Sequence, residues 1–215
     1  MPPVLALYED ILSDDATLAL PPSPRMIFVV HGSVTIAERT LGDGEAWHGE
    51  GAVTLTAGTT GATCWRFDLT SATAAAPAAA GVVSREKLAA QLATLPQGDL
   101  LLRGDSVGFP PGGCAFLHRH WGPGIRCLIE GGIRIDTHGR STSYGPGGAW
   151  YETGSDTVFA QAAADRPSRF IRVMVLPREL IGKSSFRYVN EADKAKPRVQ
   201  QYKIFVDAPV TLRPE

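Results

Sequence analysis

Cysteine is scarce in this 215-residue chain, which carries thiols only at positions 64, 114 and 127. An odd number with no metal-ribbon spacing excludes a disulfide framework and fits three reduced thiols, with Cys114 and Cys127 as small core residues. An excess of charge of one sign is also missing. The 21 Lys and Arg against 22 Asp and Glu leave a formal net charge of −1. That gives no electrostatic case for nucleic acid or an anionic membrane. No apolar run approaches the roughly 20 residues that span a bilayer. The start, Met1-Pro2-Pro3-Val4, lacks a basic segment followed by an apolar one. A cytoplasmic protein without a secretory signal is therefore expected. The glycine clusters at Gly42 and Gly145 precede strands, whereas a phosphate loop opens a helix. No Ser/His/Asp or Cys/His nucleophile follows from spacing.

Glycine and proline are plentiful, at 23 and 16 residues, beside 44% hydrophobic residues. This suits an all-β protein with a buried core and many tight turns. In the apolar segment from Gly112 to His120, two histidines stand one residue apart. On a strand His118 and His120 share a face and Arg119 points away. Two imidazoles on one face make half of a first-row metal site. Leu128 to Ile135 reads as strand, glycine turn, strand.

The chain also repeats itself weakly. Met26–Ile36 matches Arg126–Ile135, with Gly32 and Gly131 at the same turn, and Gly42–Gly51 matches Gly145–Gly154 through a shared Gly-x-Ala-Trp. Trp65–Leu69 resembles Ile171–Val175. Such an order implies two β-barrel domains. Carried back through the repeat, His118 falls on Ala19 and His120 on Pro21, so the first copy lacks the chemistry. Its His31 and His48 read as surface or hydrogen-bonded residues. Thr70–Gly81 is a low-complexity linker by composition. Ser84–Leu95 has leucines at helical spacing, a serine N-cap and a Pro96-Gln97-Gly98 stop, which predicts a short connecting helix. Pro177–Ile181 reads as a helical turn, and Glu191–Lys196 as solvated charge. Val199–Val206 alternates like a strand that adds to a sheet edge, crossing between the barrels or to a second subunit.

Gly112, His118, His120 and Gly131 follow the spacing of the first motif of the cupin superfamily, which the chain resembles over residues 26–70 and 108–176. That motif's glutamate falls on Gly124. In the second motif, anchored on Gly154, the proline falls on Glu152 and the histidine on Thr157. The resemblance implies two tandem cupin barrels, double-stranded β-helices of jelly-roll type. Their bounds are a degenerate barrel at 1–75, linker and helix at 76–100, a barrel with the site at 101–177 and an extension at 178–215. It also implies a homodimer and a small-molecule ligand or substrate.

If the site follows the family, His118 and His120 supply two ligands to a divalent Fe, Mn, Ni or Zn ion. Glu152 is then the candidate third ligand and the catalytic acid or base. A two-His-one-carboxylate set leaves positions open for substrate, water or dioxygen. Strand alternation turns Arg126 inward, where a guanidinium suits a substrate carboxylate, unless a bulge in Trp121–Gly124 flips its face. Trp150 shares a face with Glu152 and serves as a pocket wall or as packing. His138 sits in a polar turn and is expected to be exposed. Two function classes stand: a metal-dependent enzyme of dioxygenase, isomerase or lyase type, and a non-catalytic binding or sensor protein in which Arg126 and Glu152 pair and no metal binds.

Overall fold

The computed structural model describes residues 2–70 and 77–212, so part of the predicted linker (71–76) lies outside the described residues. The chain divides into two compact units, Met1–Ala93 with Leu212–Glu215, and Thr94–Thr211. The all-β expectation holds, and no α-helix occurs among the described residues. The first unit contains β1 (Val4–Leu12), β2 (Thr17–Leu20), β3 (Arg25–Ile36), β4 (Arg39–Leu41), β5 (Ala46–Gly49), β6 (Val53–Thr70) and β7 (Val82–Gln91). They form one seven-stranded sheet with main path β4-β3-β6-β1-β7, while β2 pairs with β6 and β5 with β3. Its core gathers Leu18, Ile27, Val34, Ile36, Leu41 and Leu55, all fully buried or nearly so.

The second unit contains β8 (Leu100–Phe109), β9 (Cys114–His120), β10 (Gly124–Glu130), β11 (Ile133–Thr137), β12 (Arg140–Tyr144), β13 (Ala149–Glu152), β14 (Val158–Ala162), β15 (Ser168–Pro177), β16 (Phe186–Tyr188) and β17 (Gln201–Val210). They build two five-stranded sheets, β13-β10-β15-β8-β17 and β12-β11-β14-β9-β16. Val107, Leu128, Ile133, Ile135, Trp150, Val158 and Phe170 share one apolar cluster drawn from both.

The strand registers carry the repeat seen in the sequence. Ile27 lies opposite Trp47 and Arg66, and Arg126 lies opposite Trp150 and Arg172. The sheets β4-β3-β6-β1-β7 and β13-β10-β15-β8-β17 each end on the strand that trails the barrel.

The predicted connecting helix is one of these trailing strands. Residues Val82–Gln91 form β7 and pair antiparallel with β1, with a bulge between Leu7 and Tyr8. Leucine spacing favours a helix locally, but the open edge of β1 offers the backbone a full ladder, and tertiary pairing overrides the weak local preference. Ser84 caps nothing; its hydroxyl donates to the Asp10 carboxylate inside the sheet. The C-terminal tail adds to a sheet edge as expected, but it forms β17 on β8 of its own unit and does not join the first unit's sheet. Pro177–Ile181 does hold a 3-10 turn at Arg178–Leu180, and a second 3-10 turn covers Glu191–Ala195.

Gly32 and Gly131 occupy the matching turns at φ +84° and +82°. A Cβ there would meet Gly61 O and Pro167 O, each at 2.2 Å. Gly131→Ala should therefore cost more than about 2 kcal/mol, through both backbone strain and overlap. Urea unfolding of the variant is expected to show a lower midpoint with an unchanged slope.

Candidate metal centre

Strand alternation places the histidines. Along β9, Arg119 is exposed, while His118 and His120 are each only 4% exposed. Their rings meet edge-on, with centroids 4.9 Å apart. His118 Nδ1 lies 2.8 Å from the Phe116 carbonyl oxygen, which can only accept, so Nδ1 carries the proton. Burial pushes the His118 imidazolium down to about 4, and burial next to His118 pushes His120 well below its usual range. Both rings are therefore neutral at pH 7, and the bare Nε2 of His118 is in the state a metal ion accepts.

The opposing sheet supplies the charged groups in two rows. Trp150, Arg126, Arg172 and Asp105 are register neighbours across β13, β10, β15 and β8, and Glu152, Gly124 and Met174 form the next row. Arg172 grips Asp105 through two hydrogen bonds of 2.9 and 2.6 Å. Burial alone would lower the Arg172 guanidinium, but Asp105 more than offsets this and the net shift is upward. Arg126 is 1% exposed, and burial lowers it to about 10 despite Glu152. Trp150 Nε1 donates to Glu152 Oε1 at 2.9 Å, and Arg126 Nη1 donates to the Gly124 carbonyl at 2.6 Å. Trp150 is itself buried, stacked on Tyr144 and edge-on to Phe170, so it packs and lines the pocket at once.

Glu152 Oε2 is the focus of the site. It lies 2.9 Å from Arg126 Nη2 and 3.6 Å from His120 Nε2. Proximity to Arg126 does not make a hydrogen bond, because neither Oε2 nor Nη2 has an aligned partner. A buried carboxylate oxygen left this way costs free energy, and a cation is one group that satisfies it. One ligand atom from each of His118, His120 and Glu152 fits within a mutual span of 4.8 Å. A single ion with bonds of about 2.0–2.2 Å bridges such a set after a small closing movement. The donor set of two imidazoles and a carboxylate thus could hold a metal.

The position of the cupin motif's glutamate is closed to a side chain here. Gly124 stands at that position, and a Cβ would meet Val173 O at 2.4 Å and Met174 Cγ at 2.7 Å. No side chain fits. Glu152 is the register partner of Gly124 across the β10–β13 ladder.

The lining also includes Ile135, Phe170 and Val107 and, from the C-terminal segment, Phe186, Gln200 and Tyr202. The space is about 350 Å³ with its mouth included, while the enclosed part holds about one or two waters, which suits a ligand of few atoms. Sequence reasoning missed Arg172, Asp105 and Phe186. A lone arginine between Ile171 and Val173 in an apolar strand was a usable signal for the first; the three-residue β16 carried none. His138 is exposed as expected and pairs with Asp156 at 3.1 Å.

No protein-family model matches the chain, and no curated protein matches it in sequence. Solved structures do match in fold. An oxalate decarboxylase structure on substrate binding and reaction specificity aligns at TM-score 0.66 and 13% identity, over 90% of this chain and 73% of that one. The formate complex of Lactobacillus farciminis oxalate decarboxylase aligns at 0.64 and 14%, over 89% and 82%. Bacillus subtilis oxalate decarboxylase, in work on its Mn(II) centres, aligns at 0.64 and 13%, over 90% and 73%. These are cupin-fold proteins, and this chain shares their fold.

Two outcomes follow. In the unfolded chain His118 takes a proton below its ordinary 6.5, but in the folded, metal-free protein only near 4. Stability from this group is full above pH 6.5 and is lost as pH falls toward 4, by about 3 kcal/mol. Urea midpoints at pH 7 and pH 4.5 should differ less in His118→Gln than in the parent. Secondly, Gly124→Glu, which restores the motif residue, should lower the unfolding free energy read from urea titration by more than about 2 kcal/mol and leave metal affinity no higher.

Proposed function

We propose that the chain is a bicupin whose C-terminal barrel is a small-molecule metalloenzyme, with His118, His120 and Glu152 holding one divalent transition ion. The observation that carries this reading is the buried Glu152 Oε2, which has no aligned hydrogen bond and faces His120 Nε2 at 3.6 Å. Support for two barrels comes from the repeated ladder registers and from fold matches that span 90% of the chain. The Mn(II) centres named for one fold neighbour support a transition ion as the cofactor.

The ion would supply Lewis acidity toward a substrate oxygen. The chain's own groups set the rest. Trp150 fixes one oxygen of Glu152, so the other is free to turn toward the histidines. That turn takes Oε2 away from Arg126 and leaves a buried guanidinium in need of an anion. A substrate carboxylate answers it with paired hydrogen bonds. Phe170, Ile135 and Val107 keep bulk water from the pocket floor, which strengthens each of these contacts. Glu152 is the group placed to hold or move a proton beside the bound anion. The cupin fold hosts dioxygenase, isomerase and lyase chemistries alike, so the reading concerns metal-dependent chemistry on a small anion.

A second reading draws on the 2.9 Å approach of Arg126 to Glu152. Here the two form a permanent buried pair, and the barrel binds a metabolite without metal.

Elemental analysis of tag-free protein separates the readings. About one Fe, Mn, Ni or Zn per chain is expected, lost in the His118→Ala/His120→Ala variant. Absence of metal after reconstitution with each ion would overturn the metalloenzyme reading and favour the metal-free pocket.

A further inference from the structure

The histidine strand is supported by a neighbouring segment that supplies no ligand in the metal-site reading. β16 follows the last barrel strand and pairs antiparallel with β9, with Phe186 opposite His120 and Tyr188 opposite His118. Phe186 stacks on the His118 ring, with centroids 4.2 Å apart and planes 14° from parallel. It also meets His120 edge-on at 6.0 Å. Ser185, 4% exposed, places its Oγ 3.4 Å from His120 Nδ1 and 3.8 Å from Met174 Sδ. A thioether sulfur only accepts, so a hydroxyl proton turned toward Met174 leaves the oxygen to accept from His120 Nδ1–H. The His120 lone pair is then on Nε2, the atom that faces Glu152.

The segment is fastened at both ends of this contact. Arg103 donates to the carbonyls of Lys183 at 2.7 Å and Leu180 at 2.6 Å while pairing with Asp207. Trp121 N donates to Ser185 O, and Arg187 donates to His120 O while its guanidinium covers the Trp121 ring at 3.8 Å. A loosely laid tail would not hold two aromatic contacts and a buried hydroxyl in register.

We propose that Ser185 and Phe186 are positioning residues: Ser185 sets the His120 tautomer and Phe186 holds the His118 ring, so that both Nε2 atoms converge on Glu152. The proposal rests on the metal-site reading for its purpose, but the ring contacts it describes can be tested without an ion. The support is a flat face and an acceptor, so replacements that keep the volume and remove those features should loosen the site without touching a ligand.

The test uses the full chain and the variants Ser185→Ala, Phe186→Leu and Phe186→Tyr. Mn(II) and Zn(II) titrations read affinity, and imidazole ¹⁵N shifts of the metal-free protein read each ring's tautomer. The parent should show His118 and His120 as single Nδ1–H forms. Ser185→Ala and Phe186→Leu should weaken metal binding by roughly 10-fold or more and mix the tautomers, and Phe186→Tyr, which keeps the flat ring, should stay near the parent. Folded variants with unchanged affinity and unchanged ¹⁵N patterns would overturn the proposal. If the parent binds no ion, the metal reading fails separately and the ¹⁵N patterns alone decide: mixed tautomers in the two variants uphold the positioning role, and identical patterns end it.

Discussion

A carboxylate and a guanidinium held 2.9 Å apart in the interior constrain everything around them. Neither Glu152 nor Arg126 can be removed alone without leaving a buried charge uncompensated, at a cost of about 3–5 kcal/mol. The constraint runs sideways through the sheet. Arg126 faces Arg172 across one ladder, and Arg172 needs Asp105 across the next. Four charges of balanced sign therefore tie β13, β10, β15 and β8 into one electrostatic unit, and the neutral histidines leave that balance undisturbed. An added divalent ion would upset it by two positive charges, which is why the proposed ligand is an anion.

The first unit solves the same problem differently. At the place of Arg126 it has Ile27, and at the places of Gly124 and Glu152 it has Arg25 and Gly49. Its charges close on themselves: Arg25 pairs with Asp68, and Arg66 bridges Asp10 and Asp68 under Tyr8. On β2 the inward positions are Leu18 and Leu20, not the Ala19 and Pro21 that the repeat offset pointed to, so apolar side chains stand where β9 has its histidines. The ionic framework is retained in both units, whereas the metal-type donor set is built in one.

How far the sequence disclosed this depends on the range over which each feature is encoded. The inward pair His118 and His120 was legible because strand alternation is strictly local. Glu152 and Trp150 were legible through the repeat and the motif spacing, which fix register. The strand β7 was not, because Ser84–Leu95 has helical spacing and only the free edge of β1 decides its fate. Arg172 was half legible, as a charge within an apolar strand, but its partner Asp105 sits 67 positions away. Ser185 and Phe186 were not legible at all. Their segment is too short for periodicity to register, and its place is set by β9.

The pairing of β8 with β17 has a consequence for synthesis. Leu100 of β8 lies opposite Val210 of β17, and β9 receives β16 from residues made well over sixty positions later. At roughly 5–20 residues per second, the ribosome leaves the outer edge of β8 bare for about 5–20 s. During that interval the second unit carries an uncovered apolar strand edge, and the histidine strand lacks its aromatic cover. The nascent chain is then most exposed to chaperones and to aggregation, and the wall around the three donors is closed only by the last part of the unit to be made.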